Sequence, residues 1–433
     1  MQDLIVKAKE QAQQAELYQI TVTETPVRYE NNKLKGIDAS SRQINALRIV
    51  KDGKLGFATS TGDNLQPLLD MALATTQFGR DWDLPLPGPA ALPQVQLTHP
   101  STVLDTDTLV EMGEKLVRRL GQCHPDLLAS ADVSTRQATT KLINSQGFAG
   151  EYSKSIFSIL GGAELTEGKN FLSLYAGYFS GKREDQLEKT IESLVSNYEH
   201  GRTNVPVKSG KYTVIFTPQG LGDIINPLLE CANGLAVEKG FSPWKDKLGE
   251  KLFAEEISLF DDATISFAPA SCLFDGEGIP AQRTAIIEKG IINSFILNMV
   301  TAKALGLKST GNGFRSKNGE LSAPGNSNVV LEIAGTQPLE QLLGSVKQGI
   351  IIDSLMGAWA GNPYSGQVNG NIALGFLVED GRIKGRVKDC MVSVNVFEAF
   401  RHQIEGASAE KEWAWNMLAP HLKLSDISIS AKG

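Results

Sequence analysis

Histidine and cysteine are scarce in this chain. Its 433 residues include five His, at positions 99, 124, 200, 402 and 421, and four Cys, at 123, 231, 272 and 390. The cysteines stand far apart with no CxxC pair, which argues against a zinc knuckle or a dithiol redox pair and reads as reduced, mostly buried thiols. The histidines are too scattered to form a local ligand motif. No GxSxG occurs, so a nucleophile elbow of the Ser-His-Asp kind is absent. No apolar run is long enough to span a bilayer, and the opening MQDLIVKAKEQAQQAE lacks the basic and apolar regions of a signal peptide. The expectation is a cytoplasmic protein with no membrane contact. A formal net charge of -7 without a dense Lys/Arg cluster offers little attraction to a phosphate backbone, which argues against nucleic acid as a direct partner.

Hydrophobic residues make up 41% of the chain, enough for a substantial core in two or three domains, and there is no low-complexity tract or fixed-period repeat. Residues 4–17 read as a short amphipathic helix, followed by a strand in which Tyr18, Ile20 and Val22 alternate with polar residues. In RQINALRIVKDGKLGFATS, Asp52-Gly53 supplies the positive φ angles of a two-residue hairpin turn. Helices are predicted at 64–78, 108–120 (with Gly121 as a stop) and 183–199, around a Pro-rich connector at 81–94 and an antiparallel meander over 127–180. GRTNVPVKSG at 201–210 reads as a linker. Beyond it, strands at 256–260, 264–267, 273–289, 329–333, 349–355, 372–379 and 386–394 are interrupted by helices near 298–305, 339–346 and 396–405. The fold class is therefore α+β, divided into residues 1–205, an N-terminal domain with an antiparallel sheet, and 206–433, a mostly antiparallel, curved or barrel-like β domain with a few helices.

The stretch Lys211–Gly240, KYTVIFTPQGLGDIINPLLECANGLAVEKG, is the clearest strand-turn-helix unit. Ile224, Ile225, Leu228, Leu229, Leu235 and Val237 recur at helical spacing. Gly220 and Gly222 open the helix as in a nucleotide cradle, but Ile225 takes the place of the third glycine, so a packed turn is favoured. Pro227 is expected to kink the helix, or else Asn226 caps a new helix starting there. In LFDGEGIPAQRTAIIEKG, Asp275, Glu277 and Arg283 form either a carboxylate site or a tight turn between strands, and turn chemistry favours the latter. STGNGFRSKNGE, with Gly311, Asn312 and Gly313, and LMGAWAGNPYSGQVNGN, with Gly357, Gly361, Asn362 and Gly366, are Gly/Asn-rich loops suited to holding peptide backbone in a cleft.

Together, FDGEGIPAQRTAIIEKG, NMVTAKALGLKSTGNG and GNPYSGQVNGNIALGFLVEDGRIKGRVKD resemble the signature segments of the TldD/PmbA family. ITVTETPVRYENNKLKGID, KDGKLGFATST and NSQGFAGEYSKSIFSI extend the resemblance over nearly the whole chain. MVSVNVFEAF departs from it, lacking the Ile-x-Gly-Asn step usual there. The resemblance implies a zinc metalloprotease assembly of two related subunits acting on leader peptides and unfolded peptides, one bearing a His-Glu-x-x-x-His helix and one, TldE or PmbA, without it. Laying that helix over GLGDIINPLLECANG puts Asn226 at the first His, Pro227 at the Glu and Cys231 at the second. The family's further Cys ligand is also missing, since residues 413–433 contain none. The resemblance thus implies no catalytic residue and no metal in this chain, zinc in a TldD-like partner, a peptide substrate and, without that partner, a homodimer as the alternative assembly.

Overall fold

Strand pairing begins almost at once: a short helix α1 (Gln2–Lys9) gives way to β1 (Gln14–Glu30), ending the helix well before residue 17. The expected helix over 4–17 is thus too long, because β1 pairs from Gln14 onward with β3 (Ser40–Lys51) and from Glu16 with β5 (Leu128–Asn144). The computed structural model describes residues 1–432; Gly433, the last residue of the second predicted domain, lies outside them. β2 (Lys33–Ile37) folds back on β1, and β3 turns into β4 (Lys54–Thr61) through Asp52 and Gly53 at φ 51° and 71°, the left-handed pair that hairpin requires. β6 (Ala149–Glu167) and β7 (Asn170–Ser180) complete a seven-stranded antiparallel sheet of order β4-β3-β1-β5-β6-β7.

Helix α2 (Gln66–Thr75) packs on β3 and β4, while α3 (Thr106–Gly121) and α4 (Gln186–Gly201) cover the meander β5-β6-β7. Asp105 caps α3 by accepting from the Thr108 amide at 2.7 Å. Gly121 is the last residue of that helix, but the end is capped by Gln122 in a right-handed conformation and not by a left-handed glycine.

The second sheet starts with β8 (Asn204–Val205) and β9 (Gly210–Phe216), which runs into α5 (Pro218–Ala232) and α6 (Gly234–Glu238). β10 (Ile257–Asp262), β11 (Arg283–Glu288) and β12 (Ile291–Ile292) form one flank. The predicted strand at 264–267 and the first half of that at 273–289 are irregular, tied down by side chains such as Asp262 and Asp275 rather than by a ladder. After α7 (Met299–Ala304) come a small hairpin, β13 (Gly313–Phe314) with β14 (Ala323–Pro324), then β15 (Val329–Ile333) and α8 (Leu339–Gly344). β16 (Gln348–Met356), β17 (Gln367–Glu379), β18 (Arg382–Val387) and β19 (Cys390–Asn395) lead through α9 (Val396–His402) to a final hairpin of β20 (Ile404–Ala414) and β21 (Met417–Ala431).

In this sheet β21 pairs with β9, β9 with β16, β16 with β17, β17 with β19, and β19 with β21, which closes a five-stranded barrel. Closure removes free edges that would otherwise template association. The β9–β16 pair is parallel and the other four are antiparallel. Helix α5 packs Leu221, Ile224, Ile225 and Leu228 into the core beside the barrel, whereas Leu235 is exposed. A second core cluster joins the two sheets: Leu116 and Leu194 from the N-terminal layer meet Ile215, Leu374 and Phe376 from the barrel. Each such side chain contributes about 1.5–3 kcal/mol on burial, so the sheets share a core.

Candidate functional site

The turn from β9 into α5 is a packed one. Thr217 caps the helix, its hydroxyl accepting from the Gly220 amide at 3.2 Å and donating to Asp353 at 3.0 Å. A β-carbon on Gly220 would lie 2.5 Å from the Ile352 carbonyl oxygen, so glycine is required by close approach to β16. Through Thr217 the Asp353 carboxylate is held near this helix end, where its charge disfavours a phosphate.

Helix α5 runs unbroken from Pro218 to Ala232 with Pro227 inside it. Asn226 therefore does not cap a new helix. The Pro227 ring removes one amide donor, and packing of the flanking apolar residues holds the helical path across that loss. Gly222, Asp223, Asn226 and Pro227 form one wall of a cleft of about 250 Å³, whose other wall is Ala358, Gly361, Pro363, Gln367 and Val368. In the facing loop, Asn362 accepts from the Tyr364 amide at 3.0 Å, and Gly357 and Gly366 hold left-handed turns at φ 78° and 69°. Burial raises the Asp223 carboxyl above its ordinary range, making it the titratable group of this cleft, a role the sequence reading did not assign to it.

Cys231 does not reach the cleft. Its side chain is wholly buried among the apolar residues of α5, and desolvation followed by the charge of Glu230 pushes its thiol up to about 12. A cysteine that binds zinc does so as the thiolate. Asn226, Pro227 and a buried neutral Cys231 do not fit a zinc site, and among the described residues no group of three His, Cys, Asp or Glu side chains is placed to hold a metal ion. Treating the native protein with a thiol reagent should label Cys123, which is partly exposed, while Cys231, Cys272 and Cys390 react only after denaturant is added. Rapid native labelling of Cys231, read by peptide mass, would contradict this burial.

The other predicted residues come together in a second, solvent-excluded place. Asp275 accepts from the amides of Glu277 and Ile279 at 2.9 Å each and of Gly313 at 2.8 Å. Glu277 accepts from the Met299 amide at 2.8 Å and the Ser322 hydroxyl at 2.6 Å. Asn312 donates to Asp261 at 2.8 Å, and Gly311 makes the left-handed turn beside it. Gly313 passes so close to Glu277 that a β-carbon would fall 2.5 Å from its carboxylate. Asp275, Glu277 and Asn312 are each 2% exposed or less, so this loop is built into the interior and does not line the cleft beside α5. Arg283 is not part of it: half-exposed, it pairs with Asp262 and Glu332 and lies over Phe260. Burial, then the Glu277 charge, raises the Asp275 carboxyl, and burial also raises Glu277.

The sequence reading missed the core of this network. Glu16 of β1, fully buried, accepts from Arg48 at 2.8 Å and from Arg315 at 2.5 Å, and Arg315 also donates to the Gly276 carbonyl at 2.7 Å. This triad ties the N-terminal sheet to the loops that precede and follow α7. Its chemistry is structural, with no solvent path for a substrate.

Residues 209–431 match the PmbA/TldA metallopeptidase C-terminal domain and residues 15–75 match PmbA/TldA metallopeptidase domain 1. An uncharacterised protein of Methanocaldococcus jannaschii is 24% identical over 380 residues, 86% of each chain. A metalloprotease of Methanothermobacter thermautotrophicus is 30% identical over 206 residues, 47% of this chain and 44% of that one, so that match spans less than half of either. The crystal structure of TldE from Thermococcus kodakarensis superposes with a TM-score of 0.93 at 23% identity over 100% of both chains. A putative modulator of a DNA gyrase from Thermotoga maritima does so with a TM-score of 0.89 at 21% identity over 99% of each. The structural likenesses establish the α+β fold; the domain match, covering the barrel half from β9 through β21, shows that this chain belongs to the PmbA/TldD metallopeptidase family.

Proposed function

We propose that this chain is a non-catalytic subunit of the TldE/PmbA type, which completes the peptide-binding cleft of a TldD-like zinc peptidase in the cytoplasm. The observation that carries this reading is α5 itself. It offers Asn226 and Pro227 to the cleft and a buried, protonated Cys231 behind them, so the positions that align with the zinc helix hold neither its ligands nor its base. Asp223 is a lone carboxyl with no metal-ligand group beside it among the described residues. No helix of the described residues is long and apolar enough to cross a membrane.

The test is co-expression with a TldD-like chain and assay of peptide cleavage. Cleavage is expected from the pair and not from this chain alone, which should purify without stoichiometric zinc. Gly361→Val is the informative variant, because Gly361 lines the cleft and a β-carbon there meets nothing closer than the Gln367 carbonyl at 3.4 Å. It should weaken cleavage about tenfold, the size of a modest displacement of bound substrate, while leaving the complex assembled. Gly366 is unsuitable, since its left-handed φ and a 2.6 Å approach to Phe397 make any substitution a folding defect. One tightly held zinc per isolated chain, with cleavage in the absence of any partner, would overturn the reading in favour of an autonomous metallopeptidase.

A further inference from the structure

Eight residues before Asn226, at the other end of α5 and about 12 Å away along its axis, opens a separate cleft of about 500 Å³ between β7, α4 and the β20–β21 hairpin. One wall is aromatic. Trp415 stacks on Phe179 with ring centroids 5.1 Å apart and 26° between planes, and on Tyr175 at 6.2 Å and 14°. Trp413 lies beside them.

Trp415 is out of place by fold rules alone. It is the first residue of the two-residue turn between Ala414 and Met417 and holds φ 57°, where glycine is the usual occupant. A bulky residue seldom adopts that conformation, and Trp415 recovers little by burial, being 55% exposed. Residues held this way concentrate at ligand sites.

The opposite lining is acidic. Asp353 accepts only from Thr217, and no ion pair among the described residues engages Asp353 or Glu412. The two lysines that line the cleft form their ion pairs elsewhere, Lys189 with Asp185 at 3.0 Å and Lys411 with Glu332 at 3.7 Å, although the Lys189 charge also reaches Glu412. His421 completes the lining with a buried Nδ1 that has no hydrogen-bond partner, and burial lowers its ring to about 4, so it carries no competing charge near neutrality.

We propose that this cleft binds an organic cation, an alkylammonium or guanidinium group, which lies on the Trp415 face and is neutralised by Asp353 and Glu412. Aromatic faces attract such cations through the ring quadrupole, and carboxylates without partners supply the charge that a strongly hydrated metal ion would not need aromatic rings to meet. The group is either a lysine or arginine side chain on a peptide or a free polyamine. This site shares no lining residue with the cleft at Asn226 and is lined by this chain alone.

The test is titration of the full chain, followed by tryptophan emission and calorimetry, with acetyl-Gly-Lys-Gly-amide, its norleucine analogue and spermidine. Saturable binding of a cationic probe is expected, with none from the norleucine peptide. Binding should weaken about tenfold or more in Glu412→Gln and in Asp353→Asn, which keeps the acceptor for Thr217. Trp415→Gly relaxes the turn, so its melting temperature should hold or rise while binding is lost; this separates the site from folding. A lysine peptide that binds when spermidine does not identifies a peptide ligand, and the reverse identifies a free amine. Equal binding of the lysine and norleucine peptides, undiminished binding by Trp415→Gly, or no saturable binding of either cation at millimolar concentration overturns the proposal.

Discussion

Replacing Glu16 with alanine is expected to destabilise the folded chain by about 3–5 kcal/mol, the range seen when one partner of a buried ion pair is removed. The side chains of Arg48 and Arg315 are 2% and 1% exposed, and both rely on Glu16 for their ion pairs. Without it two guanidiniums are left in a dry interior without an ion-pair partner: Arg315 keeps the Gly276 carbonyl at 2.7 Å, the rings of Trp82 and Tyr18 lie at 5.2 Å and 5.0 Å, and the nearby buried Glu277 is already engaged by Met299 and Ser322. The urea midpoint of the first unfolding transition is the measure, since a chain with two sheets need not unfold in one step. Replacing all three residues by apolar ones of similar volume should recover most of the loss, because the triad's desolvation cost goes with it. A Glu16→Ala midpoint within about 1 kcal/mol of the parent would show that the charges find other partners or water.

Stability should also fall as pH rises through the range where most carboxylates are already ionised. Burial raises Asp261 to about 6, against the opposing hydrogen bonds from Ser327 and Asn312. In the unfolded chain the same carboxyl ionises near 4. Between those values the folded chain binds the extra proton, so Asp261 contributes its full stabilisation below about pH 4 and loses it as pH rises through 6, about 3 kcal/mol in all. Asp353, raised to about 6 by burial, acts in the same direction. His421 acts oppositely: lowered to about 4, it gains stability for the fold as pH climbs to the ordinary histidine value. Raised Asp275 and Glu277 carry the decline to higher pH. Lys154, lowered to about 8 by burial, then reverses it, because above that value the unfolded chain holds the extra proton. Asp261→Asn isolates one contribution whatever its fixed cost: its stability curve between pH 4 and 6.5 should lose about 3 kcal/mol of the downward trend. Parallel curves for parent and variant would mean that Asp261 is ionised throughout.

Local chemistry made much of this fold readable in advance. Asp52-Gly53 and the turns near 144–147 and 167–170 set the hairpins of the first sheet, because left-handed turn residues and alternating strands leave a direct trace in sequence. The β9–α5 unit and the Gly361 loop were likewise readable, and the cleft places them face to face. The last hairpin was not. β20 mixes charged and small residues, and β21 carries Pro420 and is broken by Ser425-Asp426 between its two alternating stretches, Leu422 to Leu424 and Ile427 to Ser430, so the strand reads as two short pieces. The triad was hidden for another reason. Its members lie 32 and 299 residues from Glu16, and charged side chains on strands ordinarily face water. Asp275 and Glu277 carried ordinary turn chemistry in sequence, and only the arrival of Gly313 reveals why they are sealed in.

The position of β21 in chain order bears on synthesis. This strand borders β9, β15, β19 and β20, and it is the member of the barrel made last. While a ribosome is still translating it, β9 and β19 each present an unsatisfied border, and the pairing of β15 along its second side is missing too. The seven-stranded sheet, whose strands all lie before residue 181, can complete its hydrogen-bonded ladder as it emerges, while its shared core and the Glu16–Arg315 pair wait for the rest of the chain. A messenger truncated before codon 417 would therefore yield a product with one finished layer and one open one, the kind of species that chaperones retain and proteases clear.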